Sequence, residues 1–142
     1  MAVRLRMRII AGEKEIEAIA LVNSGYEADT PQLLIPVKLA KELGYWPPPE
    51  DSIEATFDTA GGPLKVWIVK GGANVKVVCR DAESSAVKVD IVVSQLADEP
   101  LISDKLAGEL KLVVEDFAEG LWRFRWEEPG KLRRSEEPYT TH

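Results

Sequence analysis

From Val3 to Val22 apolar and polar residues alternate almost without a break, and this period of two commits the start of the chain to paired strands. Val3, Leu5, Met7 and Ile9 fall on one face of the first run, with Arg4, Arg6 and Arg8 on the other. After the turn "AGEK", Ile16, Ala18, Ala20 and Val22 share one face and Glu13, Glu15 and Glu17 the opposite one. Folded back as a hairpin, the two runs set three arginines across from three glutamates. Such cross-strand charge pairs contribute only about 0.2–1 kcal/mol each, but they help to fix register. They also account for the tight basic cluster Arg4-Arg6-Arg8 without invoking nucleic acid.

The same reading continues down the chain. Gln32 to Ile35 form a short apolar strand, and Pro36 opens a helix, "PVKLAKELG", that Gly44 caps. Trp46 and the prolines at 47, 48 and 49 make a stiff connector. "SIEATFDT" and "PLKVWIV" are strand-like runs on either side of Ala60, Gly61 and Gly62, which read as a hairpin tip. Lys70-Gly71-Gly72 reads as a further turn ahead of the strand "ANVKVVCR". "VKVDIVVS" has the apolar continuity of a central strand. Ser103 is placed to cap the helix "SDKLAGEL", and "KLVVEDF" with "LWRFRWE" forms a closing hairpin around Ala118, Glu119 and Gly120. Beyond Glu127 no core-facing pattern remains. Residues 1–127 are therefore expected to form one β domain, and residues 128–142 a flexible tail. Eight or nine short strands with two short helices predict an all-β fold, a closed or nearly closed barrel or a sandwich.

Composition excludes several functions. A formal charge of −6 disfavours binding along a phosphate backbone, so no nucleic-acid partner is expected. Cys79 is the one cysteine and sits in "VKVVCR", where it reads as a buried or edge-strand thiol and not a nucleophile. His142 is the one histidine and closes the chain, which leaves no Ser-His, Cys-His or zinc-type constellation within the fold. No metal and no cofactor are expected, because neither metal-ligand spacing nor a phosphate-cradling glycine loop is present. No apolar run reaches membrane-spanning length, and the alternating start is unlike a signal-peptide core. The chain reads as cytoplasmic.

Three segments then stand in a telling order. An apolar strand runs into a small-residue loop at "ALVNSG"; a glycine-tipped hairpin follows at "FDTAGGPLKVW"; and an apolar pair enters a short helix at "PLISDKLAGELKLVV". Each is ordinary alone, since "NSG" and "AGG" are common turns. Their order and spacing, over roughly Val3 to Glu127, resemble the retroviral-type (retropepsin-like) aspartic peptidases. In that family an Asp-Thr/Ser-Gly loop carries the catalytic acid; here Asn23, Ser24 and Gly25 stand at its place. The family's flap is a glycine-tipped hairpin, matched by Thr59 to Pro63. Its apolar pair is matched by Leu101 and Ile102, with Ser103 where the family usually has glycine.

The resemblance implies a closed β barrel that dimerises with itself, two loops meeting to build one peptide-binding cleft. Asn23, Ser24 and Gly25 would line its floor, with Asp29, Thr59, Ala60, Gly61 and Gly62 contacting the bound segment. The family's chemistry uses two carboxylates that share a proton and activate water. An amide keeps the shape and hydrogen bonds of a carboxylate but takes no proton from water at accessible pH. Loss of general-base catalysis typically costs ~10²–10⁴-fold. The expectation is therefore a catalytically impaired, homodimeric peptide- or protein-binding member of the family. The alternative is an active endopeptidase, with Asn23 an engineered replacement or with Asp29 or Asp58 supplying the acid. Asp58 lies in "FDTAGG", but "IEAT" before it is not the buried run that delivers a catalytic loop. A third possibility is a structural or regulatory β protein without a cleft.

Overall fold

A computed structural model describes residues 2–23 and 25–138. Ser24 and residues 139–142, His142 among them, lie outside the described residues, so the sequence-based expectations for them have no structural counterpart here.

The opening hairpin forms as the alternation requires. Strand β1 (Arg4–Ala11) pairs antiparallel with β2 (Lys14–Val22), and the two-residue link Gly12-Glu13 is turned by Gly12 at φ +61°. Leu5, Met7, Ile9, Ala18 and Ala20 are buried. The charge ladder is shorter than the sequence suggests. Arg8 meets Glu15 and Glu17, and Arg6 meets Glu17. Glu13 is spent in the turn, and Arg4 instead forms a two-pronged bond to Glu99, at 2.8 and 3.1 Å.

Strand β3 (Gln32–Pro36) runs directly into helix α1 (Val37–Leu43), which Gly44 ends at φ +83° with its N–H on Lys41 O. Strand β4 (Ile53–Thr59) then turns at Ala60 and Gly61 into β5 (Gly62–Val77). The Lys70-Gly71-Gly72 segment is not the turn expected from sequence. It is a bulge inside β5: Val69 faces Ile91 and Ala73 faces Val89, so four steps on β5 span two on β6 (Val87–Ser94). Glycine fits the bulge because residue 71 has φ +59°, and its N–H turns onto the Asp90 carboxylate at 2.8 Å. The first half of β5 pairs with β4, and the second half with β1.

Strand β7 (Leu101–Ile102) leads through Ser103 into helix α2 (Asp104–Glu109), and β8 (Leu112–Asp116) and β9 (Leu121–Phe124) close as the expected hairpin. The main sheet is mixed, in the order β1-β2-β7-β3-β6-β5-β4, with a further β1–β5 pairing. Its inner face, the two helices and the Trp122–Phe124 side of β9 share one core. The chain is thus a mostly β, single-domain protein. Among the described residues no helix is long and apolar enough to cross a membrane.

The segment after Glu127 departs from the expected flexible tail. Arg133 and Arg134 form β10 (Arg133–Arg134) against β9, Ser135 N–H reaches Gly120 O at 2.8 Å, and Glu136 N–H reaches Arg4 O at 2.9 Å. The attachment is polar, which is why no apolar pattern announces it. Arg133 bonds both Glu127 and Asp81, and Lys131 joins Asp81 at 2.6 Å. The Arg133 bond holds the Glu127 carboxyl at about 2, below its ordinary 4.5, with the Phe124 N–H adding to the effect. A depressed carboxyl stabilises the docked state above its ordinary value, and the contribution fades as pH falls through the folded one. The amide NMR signals of Ser135 and Glu136 should therefore move toward unfolded positions between pH 4.5 and about 2. Glu127→Gln should shrink that transition, leaving the part carried by Asp81, which Arg133 and Lys131 also hold below its ordinary value; a transition the substitution leaves unchanged would contradict the clasp.

Candidate functional site

Strand pairing brings the three sequence segments to one place. Leu21 and Val22, the end of β2, pair in parallel with Leu101 and Ile102. On its other edge β7 pairs antiparallel with Leu33 and Leu34 of β3. β7 thus stands between the strand that enters the Asn23 loop and the strand that leaves it. Main-chain bonds continue the lock: Leu21 N–H to Pro100 O at 2.9 Å, Asn23 N–H to Ile102 O at 3.4 Å, and Ser103 N–H to Gln32 O at 3.2 Å.

The loop is held from within and from α2. The Asn23 side-chain oxygen accepts from Gly25 N–H at 3.0 Å, and its main-chain oxygen accepts from Tyr26 N–H at 3.1 Å. Asn23 therefore uses its amide oxygen as a carboxylate oxygen would be used, closing the turn on itself. Asp104 donates its N–H to Tyr26 O at 2.8 Å, and its carboxylate accepts from Ala28 N–H at 3.0 Å. Asp90 accepts from the Thr30 hydroxyl at 2.7 Å, which ties the far end of the loop to the β5 bulge. Tyr26 donates to the Gln32 side chain at 2.8 Å; burial, helped by the Asp90 charge, pushes its phenol well above the ordinary range.

The β4–β5 hairpin faces this loop. Its tip is braced by the Thr59 hydroxyl, which donates to Gly62 O at 2.7 Å and accepts from Gly61 N–H at 3.2 Å. The Phe57 and Tyr26 rings approach with centroids 6.4 Å apart. Between hairpin and loop lies an open cleft of about 1230 Å³. Tyr26, Leu34, Phe57, Leu64, Ile68 and Leu101 give it an apolar lining. Glu27, Asp29, Asp58, Asp90 and Asp104 add five carboxylates against the one ammonium of Lys70.

Of the residues singled out from sequence, Asn23, Gly25, Asp29, Asp58, Thr59 and Ala60 all line the cleft. Gly61 and Gly62 shape the hairpin tip without lining it. Asp29 and Asp58 are exposed, and neither has an ion-pair partner among the described residues. Tyr26, Gln32, Asp90 and Asp104 escaped the sequence reading. A carboxylate breaking the apolar run "VKVDIVVS" was the one available hint of Asp90. Cys79 lies away from the cleft, half-buried against the main core, and burial pushes its thiol up. Among the described residues no group of three or more His, Cys, Asp or Glu is placed to hold a metal ion. No protein-family model matches the chain, and no curated protein matches it.

Ser103 joins the site's two supporting elements. Its fully buried hydroxyl oxygen accepts from Gln32 N–H at 3.0 Å and from Leu106 N–H at 3.2 Å. Ser103→Ala strands both donors and removes the cap of α2, an expected loss of about 2 kcal/mol, or a Tm lowered by roughly 5–8 °C. Thermal unfolding checks this, and a Tm within a degree of the parent would contradict the role.

Proposed function

We propose that the chain is a retropepsin-like protein with a closed barrel, which pairs with a second copy to form a cleft for a peptide or protein segment. As written it has little or no peptidase activity. The observation that carries this reading is the convergence of three separate segments on one cleft: the Asn23 loop, the glycine-tipped hairpin and the Leu101-Ile102 pair. A chance likeness of three short motifs would not require them to meet. The additional β1–β5 pairing supports barrel closure, since it gives β1 a hydrogen-bonded neighbour on both edges. One chain supplies one Asn23 loop, so a centre of the family's kind needs two.

The impaired chemistry follows from Asn23. In a symmetric pair both halves present an amide, and neither amide takes the proton that water must lose. A neutral pair also avoids the repulsion that forces two adjacent carboxylates to share a proton. The lone thiol of Cys79 suits a reducing, cytoplasmic setting.

The rival reading, an active endopeptidase, draws on Asp29 and Asp58, which line the same cleft. Both are exposed, and among the described residues neither has the fixed partners that hold a catalytic acid in place. One assay separates the two. The parent chain is expected to leave an unfolded protein substrate intact at mildly acidic pH. Asn23→Asp, which restores the acid without changing the side-chain shape, should gain cleavage by at least ~10²-fold, blocked by an aspartic-peptidase inhibitor. Inhibitor-sensitive cleavage by the parent would overturn the impaired reading. An Asn23→Asp variant that folds and stays inert would remove the support for a peptidase-like centre.

A further inference from the structure

The cleft's charge is more one-sided than the chain's. The whole sequence carries 24 acidic against 18 basic residues, whereas the cleft lining carries five carboxylates against Lys70 alone. Two of those acids serve the fold: Asp90 holds Thr30 and Gly71, and Asp104 holds Ala28 and its own helix start. Their bonds leave the negative charges in place. Glu27, Asp29 and Asp58 have no such duty; all three are exposed at the cleft and without ion-pair partners among the described residues. Glu27 and Asp29 stand on the loop side, whereas Asp58 borders the cleft from β4 but alternates with Phe57, so its carboxylate leaves the face opposite the apolar floor.

The backbone suggests the occupant's shape. Among the described residues β4 closes one end of the sheet order and pairs only with β5, so its outer edge offers N–H and C=O groups without a strand partner. An extended segment can use such an edge and set alternate side chains into pockets. Beneath it, Phe57, Leu64, Ile68 and Tyr26 supply apolar surface.

Resting on the peptide-cleft reading, we propose that the preferred occupant is an extended peptide segment in which apolar residues are flanked by Lys or Arg. The apolar side chains fill the floor, and the flanking cations meet Glu27 and Asp29 on the loop. These pairs are exposed, so each contributes modestly and is screened by salt. Together they discriminate strongly, because an acidic segment meets repulsion at the same positions.

The test uses three labelled peptides that share a Leu-Phe-Val-Leu core and carry flanking lysines, glutamines or glutamates. Binding to the full chain is followed by fluorescence anisotropy at low and high salt. The lysine peptide should bind at least ~10-fold tighter than the glutamine peptide, and the glutamate peptide weakest, with the spread shrinking at high salt. Combined Glu27→Gln and Asp29→Asn, at exposed positions that leave the fold's bonds intact, should bring the lysine and glutamine peptides to similar affinity. Equal affinities for the three peptides on the parent chain would overturn the charge preference and leave the cleft reading standing. Binding of none of them would overturn both. A lysine preference that survives the double substitution would place the cation site elsewhere and reject this assignment.

Discussion

The insertion of two residues, Leu101 and Ile102, between β2 and β3 is the constraint on which the site depends. A strand this short contributes few hydrogen bonds, yet it is bonded on both edges, parallel to one neighbour and antiparallel to the other. Ile102 is fully buried in the main core, whereas Leu101 looks toward the cleft. The pair therefore anchors the Asn23 loop to the core on one face and contributes to the binding surface on the other. Ser103 and Asp104, next in the chain, extend the same anchorage to Gln32, Tyr26 and Ala28. With both ends of the loop held in this way, the position of Asn23 is set by the sheet together with the turn bonds that Asn23 itself makes to Gly25 and Tyr26.

That rigidity bears on the amide. A carboxylate in the same turn would accept the Gly25 N–H as the Asn23 oxygen does; an amide there keeps that bond while removing the charge and putting an NH2 donor where a second acceptor oxygen would be. The negative charge of the cleft then sits on its rim and supporting elements, at Glu27, Asp29, Asp58, Asp90 and Asp104, with no acid at residue 23. In the proposed reading, a site of this kind retains what is needed to hold a segment and lacks what is needed to cut it.

Much of the fold was legible in sequence wherever a local signal existed. Strict alternation announced β1 and β2, Gly44 announced the end of α1, and Ser103 the start of α2. Two misreadings have physical causes. Gly71-Gly72 read as a turn because glycine serves turns and bulges alike, and only the β6 partner decides between them. The segment after Glu127 read as mobile because an apolar pattern is the usual sign of docking. This segment instead docks through Arg133, Lys131 and main-chain bonds. The site divides in the same way. Asn23, Asp29, Asp58 and the hairpin tip came from contiguous motifs. Asp90 and Asp104 reach the loop only through the β3–β6 and β3–β7 pairings, which no local pattern encodes.

The central claim is that two Asn23 loops meet across a two-fold axis. Disulfide trapping tests it most directly, because a disulfide forms only where Cα atoms come within ~7 Å. Asn23→Cys in a Cys79→Ser background carries one thiol per chain, at the loop itself. Under mild oxidation the account predicts a covalent dimer, reversed by reductant and formed at a protein concentration too low for random collision. A folded protein that remains at the mass of a single chain under those conditions would contradict it.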